Sequence, residues 1–349
     1  MKKKIKTLVL LSGGLDSMLA AKILAEQGIE VTGLSFISCF FGAGKAEKTA
    51  QQLGIELKKI DFKEEHLEMV KNPASGYGKC LNPCIDCHAL MIKRAGEIAK
   101  KEGYDFIATG EVLGQRPMSQ NSGALERVKK LAGVEVLRPL SALVLPETEI
   151  EKKGLADRNK LLDISGRSRE RQMELAKKYG LTYPSPAGGC LLTDPAFSQR
   201  ARDMIKNWPK CGPEDMELLK HGRIFWAGGK TLIAVGRDKG DCEALEKLAK
   251  TGDILMELES EIGPLTVVRI FNFKFSILKQ FSILKLQIPE KLDVSGLKLD
   301  EVKDEEEILR LAGLLTGWYA TKARGKTVKL SAFAKATADK GSKISMKVK

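Results

Sequence analysis

Two groups of residues in this chain have types and spacings that could do chemistry. The first is the run Ser12-Gly13-Gly14-Leu15-Asp16-Ser17. Adjacent glycines let backbone N–H groups approach an anion closely, and a helix starting there points its positive end at the same spot. The hydroxyls of Ser12 and Ser17 add donors. Asp16 is out of place in a phosphate cradle unless it holds Mg²⁺, which phosphates bring with them. No lysine follows the glycines, so this is not the G-x-x-x-x-G-K-[ST] loop, and it is not G-x-G-x-x-G. The plain alternative is an ordinary strand–turn–helix with a polar turn.

The second group is the thiols Cys84, Cys87 and Cys190. Asn82 and Pro83 read as the cap and first turn of a helix. Cys84 and Cys87 then lie three apart on one face of its first turn, where a helix N-terminus lowers a thiol pKa. Cys190 follows Gly188-Gly189, a bend that lets the backbone pass close to something. One C-x-x-C pair plus one distant cysteine suits three ligands and an open fourth position. That fits a [4Fe–4S] cluster with one free iron, or a persulfide pair built from the same thiols. Adding Cys80 would instead make a closed zinc site, and Cys190 could also be an ordinary buried cysteine. His88 points away from the face of the cysteine pair. With only three histidines, a His-based triad has little support, and a paired-carboxylate hydrolase has no anchor.

These groups need a frame that brings them together. Residues 5–28 read as strand, turn and helix, with Gly28 as the stop. Further strands are expected at 30–37, 55–60, 105–109 and 135–139, with helices at 43–53, 64–71, 84–102, 124–131, 146–153 and 170–179. Strands alternating with helices imply an α/β fold, a parallel sheet with helices on both faces and right-handed crossovers. Ligands then lie beyond the carboxyl ends of the strands. Leu34, Ser35 and Phe36 are therefore expected to face the base of a bound nucleotide, and Thr109, Gly110, Glu111, Gln115, Arg116 and Ser119 the rest of the site. This domain is taken as residues 1–195. A smaller α+β domain follows over 196–330, with an α+β region starting at 213–220, a hairpin around Ala227-Gly228-Gly229 and helices at 197–208, 242–250 and 305–319. It includes strands at 254–258, 265–271 and 326–330 and an inserted segment about 272–300, where FSILK occurs at 275–279 and 281–285. Residues 331–349 read as a basic, low-complexity tail.

Composition narrows the class. With 349 residues, 43% hydrophobic and 30% charged, the chain has material for two or three packed domains. No apolar run reaches the ~18 residues of a membrane span. Lys2-Lys3-Lys4 precedes an apolar run too short for a signal peptide, so the protein is read as cytoplasmic. Seven cysteines in that compartment argue against a disulfide framework. The formal charge is +13, of which residues 320–349 supply nine basic residues and one acid, or +8. That favours a polyanion such as RNA, or is a solvated tail without a partner.

The run SGGLDS resembles the pyrophosphate loop of the N-type ATP pyrophosphatases, which cut ATP between the α and β phosphates and adenylate a carbonyl oxygen. Together with NPCIDCHALMIK (82–93), IATGEV (107–112) and AGGCLLTDP (187–195), it resembles the tRNA thiouridine synthases. These comprise the 2-thiouridylases and the catalytic domain of 4-thiouridine synthase. The likeness covers roughly residues 5–200. It implies a flavodoxin-like (HUP, adenine nucleotide hydrolase-like) fold, adenylation of a uridine carbonyl oxygen, and replacement of that oxygen by sulfur. By the same resemblance Ser12, Gly13, Gly14, Asp16 and Ser17 bind pyrophosphate, with Asp16 also catalytic. Cys87 and Cys190 handle sulfur, and Cys84 is the third cluster ligand of iron–sulfur members. The implied cofactors are ATP, Mg²⁺ and a [4Fe–4S] cluster, with Zn²⁺ or a persulfide alone as alternatives. The implied partners are tRNA and a sulfur donor (a cysteine desulfurase, a sulfur carrier or sulfide), no membrane, and a homodimer among the assemblies considered. Arg116, Arg167 and Arg169 are candidates for RNA phosphate contacts or surface salt bridges.

The stretch GQRPMSQ (114–120) departs from ordinary 2-thiouridylases, and the N-terminal RNA-binding domains of 4-thiouridine synthase are not expected. Residues 210–330 do not read as the usual β-barrel of these enzymes and resemble a small RNA-associated domain of the NFACT-R type. Two rival classes are an ATP pyrophosphatase acting on a small molecule, such as an amide-forming synthetase, and a non-catalytic RNA-binding module with a structural metal.

Overall fold

A computed structural model describes residues 4–185, 189–271, 282–297, 299–302 and 304–335. It divides into two compact units, Met1–Gln199 and Arg200–Lys349.

In the first unit, β1 (Lys6–Leu10), β2 (Glu30–Ile37), β3 (Glu56–Asp61) and β4 (Phe106–Thr109) form one parallel sheet in the order β3-β2-β1-β4. The chain winds outward from β1 through α1 (Leu15–Glu26) and α2 (Gly44–Leu53). It then returns through α3 (Lys63–Lys71) and α4 (Cys84–Glu102) to lay β4 on the other side of β1. The winding direction reverses between β1 and β4, and a crevice opens there at the carboxyl ends. The strands show the period of two that a doubly covered sheet requires. Val9, Leu11, Phe106 and Ala108 pack in one core with α1, while Leu8, Leu34, Phe36 and Ile107 pack in the other with α4 and α5 (Ser122–Ala132). The short α6 (Glu149–Lys152) and α7 (Glu170–Lys178) complete the unit. The α/β class with helices on both faces is as the sequence implied.

Local readings differ in two places. The expected strand 135–139 is a single bridge, Ala108 to Leu137, with Thr109 N–H bonding Leu137 O at 2.9 Å. Pro139 has no N–H to extend a ladder. Asn82 does not cap α4; Pro83 holds the cap position, and the Asn82 side chain accepts from the Cys84 thiol at 3.0 Å. Gly54 and Gly103 end α2 and α4 in the left-handed conformation, as helix stops do.

The helix α8 (Pro195–Asn207) runs across the division, and α9 (Pro213–Leu218) follows in the second unit. That unit's sheet comprises β5 (Arg223–Ala227), β6 (Thr231–Val235), β7 (Ile254–Leu258), β8 (Thr266–Ile270), β9 (Ser282–Gln287) and β10 (Thr327–Ala334). It is antiparallel throughout, in the order β5-β6-β8-β7-β10-β9. α10 (Lys239–Leu248) starts three residues before the expected Cys242, because the Asp238 side chain caps it through Asp241 N–H at 2.9 Å. α11 (Glu305–Tyr319) covers one sheet face with Ile308, Leu309, Ala312 and Leu315. The second FSILK copy supplies most of edge strand β9, whereas the first lies outside the described residues. Residues 331–334, read as tail, close β10 instead, and 336–349 lie outside the described residues.

Among the described residues of this unit Asp241 is buried beside Arg237, and a larger buried charged group surrounds Arg269. Arg269, 4% exposed, bonds Asp215 at 2.8 Å and Asp253 at 2.6 Å. Removing the guanidinium would strand two buried carboxylates, with Lys250 at 3.2 Å from Asp215 as partial relief. Arg269→Met is expected to destabilise the unit by about 3–5 kcal/mol. All three tryptophans lie in it, so urea unfolding followed by tryptophan fluorescence reads this loss.

Candidate active site

The loop between β1 and α1 is held by glycine contacts. Gly13 has φ +78°, and a Cβ there would lie 2.3 Å from the Lys45 carbonyl carbon. A Cβ on Gly110, just past β4, would lie 2.4 Å from Ser17 N. No side chain fits either place, so α2 and the end of β4 clamp the helix start from two sides. The Ser17 hydroxyl is buried and donates to Gly14 O at 2.9 Å. It therefore braces the loop and does not offer a donor to a ligand, contrary to the sequence reading. Ser12 remains exposed, its hydroxyl 3.2 Å from that of Ser17.

Asp16 sits in the first turn of α1. Its Oδ2 accepts from Gln115 Nε2 at 2.7 Å, and Gln172, fully buried, donates to Gln115 Oε1 at 3.2 Å. Its Oδ1 is buried without a partner. A carboxylate held by one oxygen with the other left open is suited to a hard cation. Gln115 was placed at the site from sequence, but Gln172 was not. It falls within an arginine-dense stretch, and no local pattern marks it.

Of the residues expected near a base, Phe36 is buried against Phe62 with ring centroids 4.8 Å apart, and Leu34 joins the same core. Their side chains are structural because β2 alternates faces, and Ser35 on the opposite face is buried as well. Thr109 and Glu111 continue past β4 as a buried polar knot. Thr109 Oγ1 bonds Glu111 Oε2 at 3.2 Å, Arg138 bonds the same oxygen at 3.0 Å, and His88 Nδ1 lies 2.7 Å from Oε1. Burial would raise the Glu111 carboxyl, but His88 and Arg138 outweigh it and hold the group down at about 2. His88 thus faces Glu111 and leaves the thiols alone, as its place on the helix implied.

The thiols come together electrostatically. Burial pushes the Cys87 thiol up, and Cys190 and Cys84 push it further. Burial raises Cys190 to about 11, Cys84 adds to the rise, and Arg116 opposes it. The lowering expected from the helix N-terminus is reversed at Cys87, because desolvation of a thiolate is the larger effect. The segment carrying Cys190 is tied down by Leu191 N–H to Phe40 O at 3.0 Å and by fully buried Leu192. Gly188 lies outside the described residues. Among the described residues no three Cys, His, Asp or Glu side chains are placed to hold a metal ion together. Cys84, Cys87, Cys190 and Cys80 therefore do not fit an iron–sulfur or zinc site, and no step is derived through one. Arg116 lies near Cys190, Arg169 sits at the start of α7 with a buried, unpartnered Nε, and Arg167 is exposed.

His66 is the residue that sequence reasoning missed. It is fully buried on α3, with Nε2 3.2 Å from Cys87 Sγ and Nδ1 2.9 Å from Ser38 Oγ. A lone histidine on an apolar helix face carries no signal of this.

The glycine loop, the open Asp16 carboxylate oxygen and the thiols Cys87 and Cys190 thus belong to one unit. Comparisons with known proteins bear on this unit. Residues 3–165 match the family described as thiamine biosynthesis protein (ThiI). The chain is 36% identical over 115 residues to the tRNA-specific 2-thiouridylase MnmA of Syntrophomonas wolfei, covering 30% of this chain and 33% of that protein. It is 31% identical over 162 residues to a protein of Thermococcus kodakarensis named "Probable tRNA sulfurtransferase", covering 42% and 40%. The chain thus spans a third to two fifths of the length of these relatives. Among solved structures, it is similar to a 4-thiouridine synthetase in complex with RNA and ATP, at 21% identity and TM-score 0.33 over 61% of this chain and 53% of that one. Over residues 3–165 the chain is thus similar to the ThiI family and, over part of that length, to proteins named as tRNA thiouridylases and sulfurtransferases.

The neutral, desolvated state of His66 makes stability depend on pH. Burial lowers its pKa to about 4, against 6.5 for an ordinary histidine. Between these values the unfolded chain binds a proton that the folded one does not. Stability is complete above pH ~6.5 and falls by about 3 kcal/mol as the pH drops to ~4. Urea unfolding of wild type and His66→Phe across this range checks it: the variant is expected to lack this increment.

Proposed function

We propose that the protein is an ATP-dependent tRNA sulfurtransferase. The observation that carries the reading is that Cys87 and the segment bearing Cys190, 103 positions apart in sequence, meet the same Phe40–His66 contact, Leu191 N–H bonding Phe40 O at 3.0 Å and His66 Nε2 lying 3.2 Å from Cys87 Sγ, within the unit that carries the glycine loop. A phosphate-binding domain acting on a small molecule has no need of that pair.

In this reading the uracil carbonyl oxygen attacks the α-phosphate of ATP, and pyrophosphate leaves toward the glycine loop and the positive end of α1. A cation accompanying the triphosphate would be held by Asp16 Oδ1 and would neutralise charge on the phosphates. Gln115 and Gln172 keep that carboxylate in place. The adenylated carbon is then open to a sulfur nucleophile. One thiol of the Cys87–Cys190 pair carries a persulfide whose terminal sulfur attacks the carbon, and AMP leaves with the C–O electrons. The other thiolate attacks the inner sulfur, which releases the thiocarbonyl and leaves a Cys87–Cys190 disulfide. An external dithiol restores the pair. Burial of both thiols suits this chemistry, because a persulfide ionises more readily than a thiol and is shielded from water. The target base must be turned out of its stack to reach the sheet edge, with Arg116 and Arg169 near enough to meet RNA phosphates.

The test incubates the full chain with tRNA, ATP, Mg²⁺ and a persulfide donor, and follows pyrophosphate release and thiouridine by nucleoside mass spectrometry. Wild type is expected to give both. Asp16→Ala should lose both by 10²-fold or more, on the scale of removing one preorganised electrostatic group. Cys87→Ser and Cys190→Ser should keep tRNA-dependent pyrophosphate release and make no thiouridine. Pyrophosphate release indifferent to tRNA, with no thiouridine formed, would overturn the proposal.

A further inference from the structure

The contact between His66 and Cys87 has a direction that the hydrogen-bond count determines. Ser38, 4% exposed, has its Oγ within 3.2 Å of Phe40 N–H, which can only donate to it. The remaining partner of that hydroxyl is His66 Nδ1 at 2.9 Å. A buried hydroxyl that donates to nothing is costly. The Ser38 proton therefore points at Nδ1, which makes Nδ1 the acceptor and places the ring proton on Nε2. Nε2–H then faces Cys87 Sγ at 3.2 Å. The chain runs one way, from the Phe40 amide through Ser38 and His66 to the sulfur.

The surroundings keep that arrangement rigid and dry. Phe40, Phe41 and Phe62 surround the imidazole, with ring centroids 5.7, 5.3 and 4.9 Å away. Phe40 also receives the Leu191 amide, so the segment bearing Cys190 rests on the loop that orients His66. The other ionisable groups acting on Cys87 are Cys190, Cys84 and Asp86, and all three disfavour a thiolate there. Nε2–H is the donor that opposes them.

We propose that His66 is a positioning residue for Cys87: a neutral imidazole, oriented by Ser38, whose Nε2–H holds the sulfur and stabilises negative charge on it. The proposal rests on the sulfurtransferase reading for its purpose, but not for its test. The charge to be held is that of the Cys87 thiolate or of a persulfide anion on it. A hydrogen bond to a charged sulfur in a dry site is stronger than one to a neutral thiol, so the contact favours the reactive form.

The experiment reads Cys87 alone. The full chain is alkylated with iodoacetamide from pH 6 to 10, and adducts on Cys87 and Cys190 are quantified by peptide mass spectrometry. In His66→Phe and Ser38→Ala the Cys87 profile is expected to move up by about one pH unit, or about tenfold slower alkylation at pH 8. The Cys190 profile should stay in place. His66→Gln, whose amide can donate, should recover part of the rate. An unmoved Cys87 profile in a folded His66→Phe would overturn the proposal. Wild type supplies a test that needs no variant: nitrogen-15 NMR of the His66 ring should show the Nε2–H tautomer, and the Nδ1–H tautomer would overturn it. A shifted profile together with full thiouridine formation by Cys87→Ser would sink the sulfurtransferase roles and leave the hydrogen-bond assignment standing.

Discussion

The site depends on how closely the end of β4 approaches the start of α1. Gly110 rests on the backbone of Asp16 and Ser17 with no room for a methyl group, and Gly13 does the same against Lys45 of α2. These contacts bring the ends of β1 and β4 and the start of α2 to one helix N-terminus. They leave the helix's free N–H groups facing the crevice between β1 and β4 instead of being covered by side chains. Everything else at the site is placed relative to that point. The Gln115 and Gln172 pair that steadies Asp16 enters from the segments after β4, and the polar knot of Thr109, Glu111, His88 and Arg138 pins the same loop from beneath.

The thiol region solves an opposite problem. A phosphate loop needs exposed donors, whereas sulfur transfer needs a nucleophile kept from water and from oxidants. Cys87 and Cys190 are placed where burial disfavours their thiolates. A domain that buries its nucleophiles must supply local donors, or else use a more acidic sulfur species. At Cys190 a backbone hydrogen bond from Leu192 and the charge of Arg116 favour the thiolate, and at Cys87 His66 is the neighbouring donor. These two thiols are thus surrounded by residues that do not belong to the C-x-x-C motif.

The second unit is built on another principle. Its six antiparallel strands pack one face on α11, and a buried charged group joins Arg269 with Asp215 and Asp253. That group fastens α9 and the start of β7 to the centre of the sheet.

Much of this was legible in the chain itself. Ser12 to Ser17 between an apolar run and a run of helical periodicity marked a strand–loop–helix turn, which the structure shows. Strands alternating with helices, and the uncharged run Leu8 to Leu11, specified a parallel sheet covered on both sides. Gln115 was placed correctly since position after a strand end suffices to aim a loop. What tertiary structure alone decided has a common cause, which is that long-range packing sets burial and pairing. The helix N-terminus argued for acidic thiols at Cys87, but burial by distant segments raised them. Phe36 was expected at the base and belongs to the core, and Ser17 was expected to face a ligand and instead braces Gly14. The strand at 135–139 shrank to one bridge because Pro139 withholds a donor. Three cysteines that spacing alone could assign to a cluster are not gathered around a metal among the described residues. His66, isolated on a largely charged helix in the sequence, became a partner of Cys87 only because α3 meets both Ser38 and the first turn of α4.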